Sequence, residues 1–87
     1  MEGLEKAINE RVSFLKEQIN PQNKPLVNRA FEIQIETIRS TNTEGVAIQI
    51  LGKQKQLEMA RDVDTIERLY TELEALEWLQ RQVVKFI

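Results

Sequence analysis

Carboxylates are the groups of this chain whose number and spacing come closest to supporting catalysis or metal binding. The 87 residues include 14 Asp and Glu side chains, but no His and no Cys. Paired carboxylates can share a proton or bind a metal ion, yet helical di-metal sites also use Glu-x-x-His motifs. The densest acidic group consists of Glu67, Glu72, Glu74 and Glu77.

These acids are better explained as a solvated helix face than as a site. Arg68–Glu72 and Glu77–Arg81 have the four-residue spacing of surface ion pairs on a helix. Asp62-x-Asp64 lacks the Gly and the distal Glu of a calcium loop. The three glycines are isolated, so no loop cradles phosphate. We therefore predict a protein that is not an enzyme, with no catalytic residue, metal, cofactor or small-molecule substrate.

Three basic residues could contact nucleic acid, namely Lys53, Lys55 and Arg61. Glu58 and Asp62 interrupt this group, and the chain as a whole has 12 basic and 14 acidic residues. A nucleic-acid surface usually has a net positive face. A small nucleic-acid-associated accessory protein is therefore an alternative function rather than the preferred one.

The last third of the chain predicts a long amphipathic helix. Its apolar residues recur at steps of three and four, the period of a helix, with Gln80 the one polar step. They are Ile66, Leu69, Leu73, Leu76, Val83 and Ile87. Asp64-Thr-Ile-Glu67 resembles a capping box that would start this helix at residue 65. Because no Gly or Pro follows Lys53, one continuous helix over about residues 44–86 is equally open.

The first segment predicts a second amphipathic helix, over about residues 2–19. Its apolar line is Leu4, Ile8, Val12, Leu15 and Ile19. Asn20-Pro21 would end it, because the residue before proline avoids helical angles. The linker 20–25 ends on Pro25, which suits the first turn of a following helix. So short a connection favours an antiparallel neighbour.

Residues 26–51 fit two structures. Leu26, Ala30 and Ile33 lie on one helical line, whereas polar residues alternate with apolar ones over 31–35 and 46–50, as in strands. A β-hairpin at 31–51, and hence an α+β fold, is the alternative. We favour helices because the helical line begins before the alternation, and because Thr43 could cap a helix starting at Glu44. The predicted fold is therefore all-α: one domain, residues 1–87, with three or four helices bundled and a long C-terminal helix.

So small a chain has a thin margin of stability. Short chains often gain stability from disulfides, metals or self-association, and the lack of Cys removes the first of these. No run of 18 apolar residues predicts a transmembrane helix, and the acidic N-terminus does not resemble a signal peptide. We expect a cytoplasmic protein without a membrane partner.

The last helix is apolar on more than one side, which predicts an interface. Trp78 lies about 120° from the main line on a helical wheel, and Leu79 and Phe86 share another line. Aromatic residues often anchor interfaces. Gly52 would admit a partner helix closely, or mark a kink. The predicted interface is Trp78, Leu79, Val83, Phe86 and Gly52, and the partner is a second copy or another protein.

Three stretches resemble small helical proteins encoded among tailed-phage structural genes. They are Gly52-Lys-Gln-Lys-Gln-Leu57, Thr65-Ile-Glu-Arg-Leu69 and Glu74-Ala-Leu-Glu-Trp-Leu79, within residues 43–79. The chain departs from that style at Leu51, where Gln is usual, and at Leu73, where the last helix would want Gly. The resemblance implies an assembly or accessory role, in the host cytoplasm or the virion, without an active site. Docking on a host protein as an inhibitor is a third hypothesis.

Overall fold

The computed structural model describes residues 2–86, and for Glu2 the backbone alone. Within them lie four α-helices and one 3-10 turn. These are α1 (Glu2–Gln18), α2 (Pro25–Ser40), the 3-10 turn (Thr43–Gly45), α3 (Val46–Met59) and α4 (Val63–Phe86). No strand occurs between residues 2 and 86. The predicted all-α bundle with a long C-terminal helix is confirmed, and the alternative with a hairpin at 31–51 is wrong.

The strand-like alternation in α2 arises because this helix packs on two neighbours. α2 contacts both α1 and α4, so it needs apolar side chains on two of its sides. Ile35 and Ile38 belong to the main core, while Ile33 and Thr37 are buried on another side of the same helix. Two apolar sides on one helix produce the same short-range alternation as one buried face of a strand.

The chain turns between α3 and α4 without Gly or Pro. Ala60 ends α3 in an extended conformation, and Asp62 caps α4. The Asp62 Oδ2 accepts hydrogen bonds from the backbone N and the Oγ1 of Thr65, both at 3.1 Å. The capping box predicted at Asp64 is therefore wrong by two residues, and the option of one helix over 44–86 is excluded.

Asparagine side chains shape the other two connections. Asn20 Oδ1 accepts hydrogen bonds from the backbone N of Gln22 and Asn23 in the turn after α1, and Pro25 opens α2 as predicted. Asn42 Oδ1 accepts from Glu44 N at 3.0 Å and starts the 3-10 turn. The helix predicted to begin at Glu44 with Thr43 as its cap instead begins at Val46.

Helix α4 is the spine of the molecule. It contacts α1, α2 and α3, whereas no Cα of α3 lies within 8 Å of α1 or α2 in the described part of the chain. Leu69, Leu73 and Leu76 are buried, as predicted, while Ile87 lies outside the described residues. The core draws on all four helices: Val12, Leu15, Ile35, Ile38, Val46, Ile50, Leu73, Ala75, Leu76 and Leu79.

The described molecule is a flat slab of 38 × 34 × 16 Å. Its radius of gyration is 13.5 Å, whereas a compact chain of this length would have about 12 Å. The flatness follows from the topology, because α3 is attached through α4 alone. Helix α3 is consequently an edge helix with one side against the protein and one side open.

Candidate interaction surface

The outer face of α3 exposes three large apolar side chains on one side of the helix. We define it as Ile48, Leu51, Gly52, Lys55 and Met59, which share one side of the helix at 100° per residue. Ile48, Leu51 and Met59 are 76%, 58% and 81% exposed. The opposite side of α3 carries a second apolar line, Val46, Ile50 and Leu57, which packs into the core.

An exposed Leu or Ile on its own is normal for a folded protein. Three exposed large apolar side chains on one side of a 14-residue helix are less usual, and such grouping is a common mark of an interaction site. Lys55 lies at the middle of the face. A lysine there can extend its ammonium outward while its methylene stem covers apolar surface.

Gly52 lies on this outer face and serves no packing purpose within the chain. Apart from its chain neighbours and the adjoining backbone of α3, no atom lies within 4 Å of a Cβ added at Gly52. No helix of the described chain therefore approaches it closely. Glycine nevertheless costs about 1 kcal/mol relative to alanine in a helix interior. Its effect at this position is to leave a shallow notch in the exposed face.

The contact residues predicted on α4 are largely covered by the chain itself. Leu79 is 0% exposed, so it is a core residue with no surface to offer a partner. Trp78 and Val83 are half-buried and pack against the core. Phe86 is half-buried beside Gly3 of α1. The second apolar line of α4 is largely covered within one molecule, because α1 and α2 both pack on this helix.

The sequence did contain the signal for the outer face. Val46, Ile48 and Ile50 alternate with other residues, a pattern that by itself also fits a strand. In a helix the same three residues cannot all face one way, because alternate residues are 200° apart. Val46 and Ile50 are buried, and Ile48 is left outside.

The three basic residues predicted to contact nucleic acid do not form one patch. Lys53 Nζ lies 2.6 Å from Glu72 Oε2, on the side of α3 that faces α4. Lys55 lies on the opposite side, since two residues of helix separate them. Arg61 is exposed in the turn beyond α3. The structure therefore places Lys53 and Lys55 on opposite sides of α3, with Arg61 outside the helix.

Glu72 differs from the solvated acid that the sequence predicted. The Arg68–Glu72 pair is present, with 3.2 Å between Nε and Oε1. Glu72 is nevertheless buried, and it also receives Lys53 from α3. This three-residue ion network joins α3 to α4, so Glu72 acts as a structural link.

Between residues 2 and 86 no helix has both the length and the hydropathy to cross a membrane. Over the same residues no three Asp or Glu side chains gather closely enough to hold a metal ion.

Comparisons with known proteins add no relative. No protein-family model matches the chain, and no curated protein or solved structure matches it significantly.

Proposed function

We propose that this chain is a non-enzymatic assembly module, which associates with a second copy by packing the outer faces of their α3 helices together. One observation carries the proposal: Ile48, Leu51 and Met59 are 58–81% exposed on the side of α3 opposite its buried line. A helix with apolar residues on two opposite sides is typical of an element that is buried on both.

The slab shape supports a second copy as the partner. A single molecule is 16 Å thick in its shortest dimension and leaves α3 at an edge. In a twofold dimer the same patch packs on itself, so one self-complementary face is sufficient. Joining two α3 helices would move each from the edge of a slab to the middle of a larger bundle.

Gly52 supports close helix contact. Glycine permits the backbone of another chain to come near, and this glycine has no such neighbour within its own chain. The apolar residues Ile48 and Leu51 lie within a turn of it, and Met59 lies two turns further on. A partner helix crossing near Gly52 would cover all three.

The size of the face limits the affinity. Helix α3 has 14 residues and is about 21 Å long. One helix face of that length covers less than the roughly 800 Å² per partner of a standard stable interface. We therefore expect a weak, reversible association rather than a permanent dimer.

Light scattering coupled to size-exclusion chromatography tests the proposal over a range of concentrations. The native chain should move from monomer towards dimer as its concentration rises. Leu51→Glu should remain a monomer, because it places a charge within the face. Leu26→Glu is the matched control, since Leu26 is an exposed leucine of α2 and should not affect the dimer.

Two results would overturn this assignment. One is a strict monomer at millimolar concentration for the native chain. The other is loss of association in Leu26→Glu with association kept in Leu51→Glu. Circular dichroism of each variant separates lost association from lost folding. An assembly role in a phage particle, which the sequence resemblance implies, would use such a module but is not required by it.

A further inference from the structure

A groove between α1 and the C-terminal half of α4 collects aromatic and cationic side chains. Its volume is about 480 Å³. Six of its lining residues carry its chemistry: Lys6, Arg11, Phe14, Trp78, Lys85 and Phe86. Glu10 also lines it, so the described lining residues have a net charge of +2, whereas the whole chain has −2.

The Arg11 guanidinium lies near two aromatic rings that also line this groove. Its Cζ lies 5.4 Å from the centroid of Phe14 and 5.5 Å from that of Trp78. These distances are within the range of cation–π attraction. The guanidinium is thus fixed in position by aromatic side chains rather than by a carboxylate.

The guanidinium has unused hydrogen-bonding capacity. Its Nε is buried and has no acceptor among the described residues. The ion pairs of the described residues involve Lys53, Arg68 and Glu72, and Arg11 takes part in none. A buried donor without a partner is rare in folded proteins, so this guanidinium keeps a capacity for binding that its own chain does not use.

The end of the groove is closed by a close approach of α4 to α1. Lys85 Nζ lies 5.4 Å from the centroid of Phe86. The Phe86 ring lies against Gly3 of α1, where an added Cβ would be 2.8 Å from Phe86 Cδ1. Gly3 therefore lets this ring pack against α1, which places Lys85 on the same groove as Arg11.

We propose that the α1–α4 groove binds an organic anion that carries a planar ring. Its phosphate or carboxylate group pairs with Arg11, whose fork of donors suits either group. Lys6 and Lys85 lie around it and add positive charge. Phe14 is 49% exposed, and its open face is available for the ring of the ligand to stack on.

This site is separate from the outer face of α3. Helices α1 and α3 do not contact each other in the described part of the chain. The two proposals consequently fail independently: an anion could bind to a monomer, and a dimer could form with an empty groove.

Trp78 is the one tryptophan of the chain, so its fluorescence reports on this groove alone. We would titrate the protein with adenosine 5′-monophosphate and with benzoate, which carry a ring and different anionic groups. Adenosine and inorganic phosphate supply ring and anion separately. We expect a saturable change in Trp78 fluorescence with a ring-bearing anion. Adenosine or inorganic phosphate alone should bind at least about tenfold more weakly, which corresponds to about 1.4 kcal/mol.

The first titration also identifies the source of the anion. Tighter binding of the nucleotide indicates a phosphate ligand, and tighter binding of benzoate indicates a carboxylate ligand. Inorganic phosphate that binds as tightly as the nucleotide would overturn the requirement for a ring. No saturable change with any of the four probes would overturn the site.

Variants assign the binding to Arg11. Arg11→Met keeps an apolar stem between the rings and removes the charge, and should weaken binding at least about tenfold. Arg29→Met, at an exposed arginine of α2, is the control and should bind normally. Because Arg11→Met could unfold the chain, a Lys6→Met, Lys85→Met double variant serves as a second test. Unchanged affinity in a folded Arg11→Met or in the double variant would contradict the proposal.

Discussion

Helices α3 and α4 each carry a second line of apolar residues, but this line is buried in α4 and exposed in α3. The extra line of α4 ends in the core or against α1, because three helices surround α4. The extra line of α3 stays in solvent, because α3 has one helical neighbour. A hydrophobic pattern thus indicates how many sides a helix buries, whereas topology decides whether one chain supplies every side.

The largest expected effect separates a buried line from an exposed one. Leu79 is 0% exposed, so Leu79→Ala should lower the free energy of unfolding by about 2–5 kcal/mol. Met59→Ala, on the outer face of α3, should change it by less than about 0.5 kcal/mol in the monomer. Urea denaturation at low protein concentration measures both.

That contrast is open to direct contradiction. Equal losses of stability in the two variants would mean that the outer face is covered even in dilute protein. If Leu79→Ala lowers the free energy of unfolding by less than about 1 kcal/mol, α4 is not packed tightly against the other three helices.

The next effect concerns the ion network that joins the two helices. Lys53→Met removes the amine 2.6 Å from Glu72 and leaves that buried carboxylate with Arg68 alone. Because Lys53 is itself partly exposed, we expect the free energy of unfolding to fall by about 1–2 kcal/mol. Breaking a fully buried pair would lower it by about 3–5 kcal/mol. Lys55→Met, on the opposite side of α3, is the matched control.

Thermal unfolding of these two lysine variants would show the difference. The network has no structural role if Lys53→Met and Lys55→Met unfold at the same temperature. The double variant Lys53→Met, Glu72→Gln should recover part of the loss, since no buried carboxylate is then left with Arg68 as its one partner.

The turn between α3 and α4 gives a smaller effect. Asp62→Ala removes the side chain that caps α4 and should cost about 1 kcal/mol. Asp64→Ala removes the acid that the sequence pattern suggested as the cap. It should cost only a few tenths of a kcal/mol, through its place near the positive end of the helix dipole. A reversed order in urea denaturation would restore the sequence-based assignment.

The sequence alone predicted the features that depend on neighbours within one helical turn. These are α1, the position of Pro25 at the start of α2, and the long C-terminal helix. The cap at Asp62 was missed because two aspartates lie two residues apart, and spacing does not choose between them. The coverage of Leu79 and the exposure of Ile48 depend on which helices meet, and that is a property of the whole fold.

The same limit applies to the two candidate surfaces. Trp78 and Phe86 were predicted to matter from their position on α4, but their grouping with Arg11 required α1 to run antiparallel along α4. Gly52 was predicted as a place of close approach or a kink. The structure places it within α3, on the outer face, where nothing of its own chain approaches.

Gly52→Ala gives the smallest and most discriminating prediction. Within one molecule the new methyl group meets no atom within 4 Å beyond its chain neighbours and the adjoining backbone of α3, and alanine is the better helix former. The monomer should therefore gain up to about 1 kcal/mol in its free energy of unfolding. If two α3 helices cross near this residue, the same methyl group must push them apart and weaken association.

Gln54→Ala is the control for helix propensity alone. Gln54 is an exposed residue of α3 that lies off the outer face. The expected result is a more stable monomer with a weaker dimer for Gly52→Ala, against an unchanged dimer for Gln54→Ala. A variant that is more stable and associates as well as the native chain would show that the helices do not approach at Gly52, and that a dimer through α3 must cross elsewhere on its outer face.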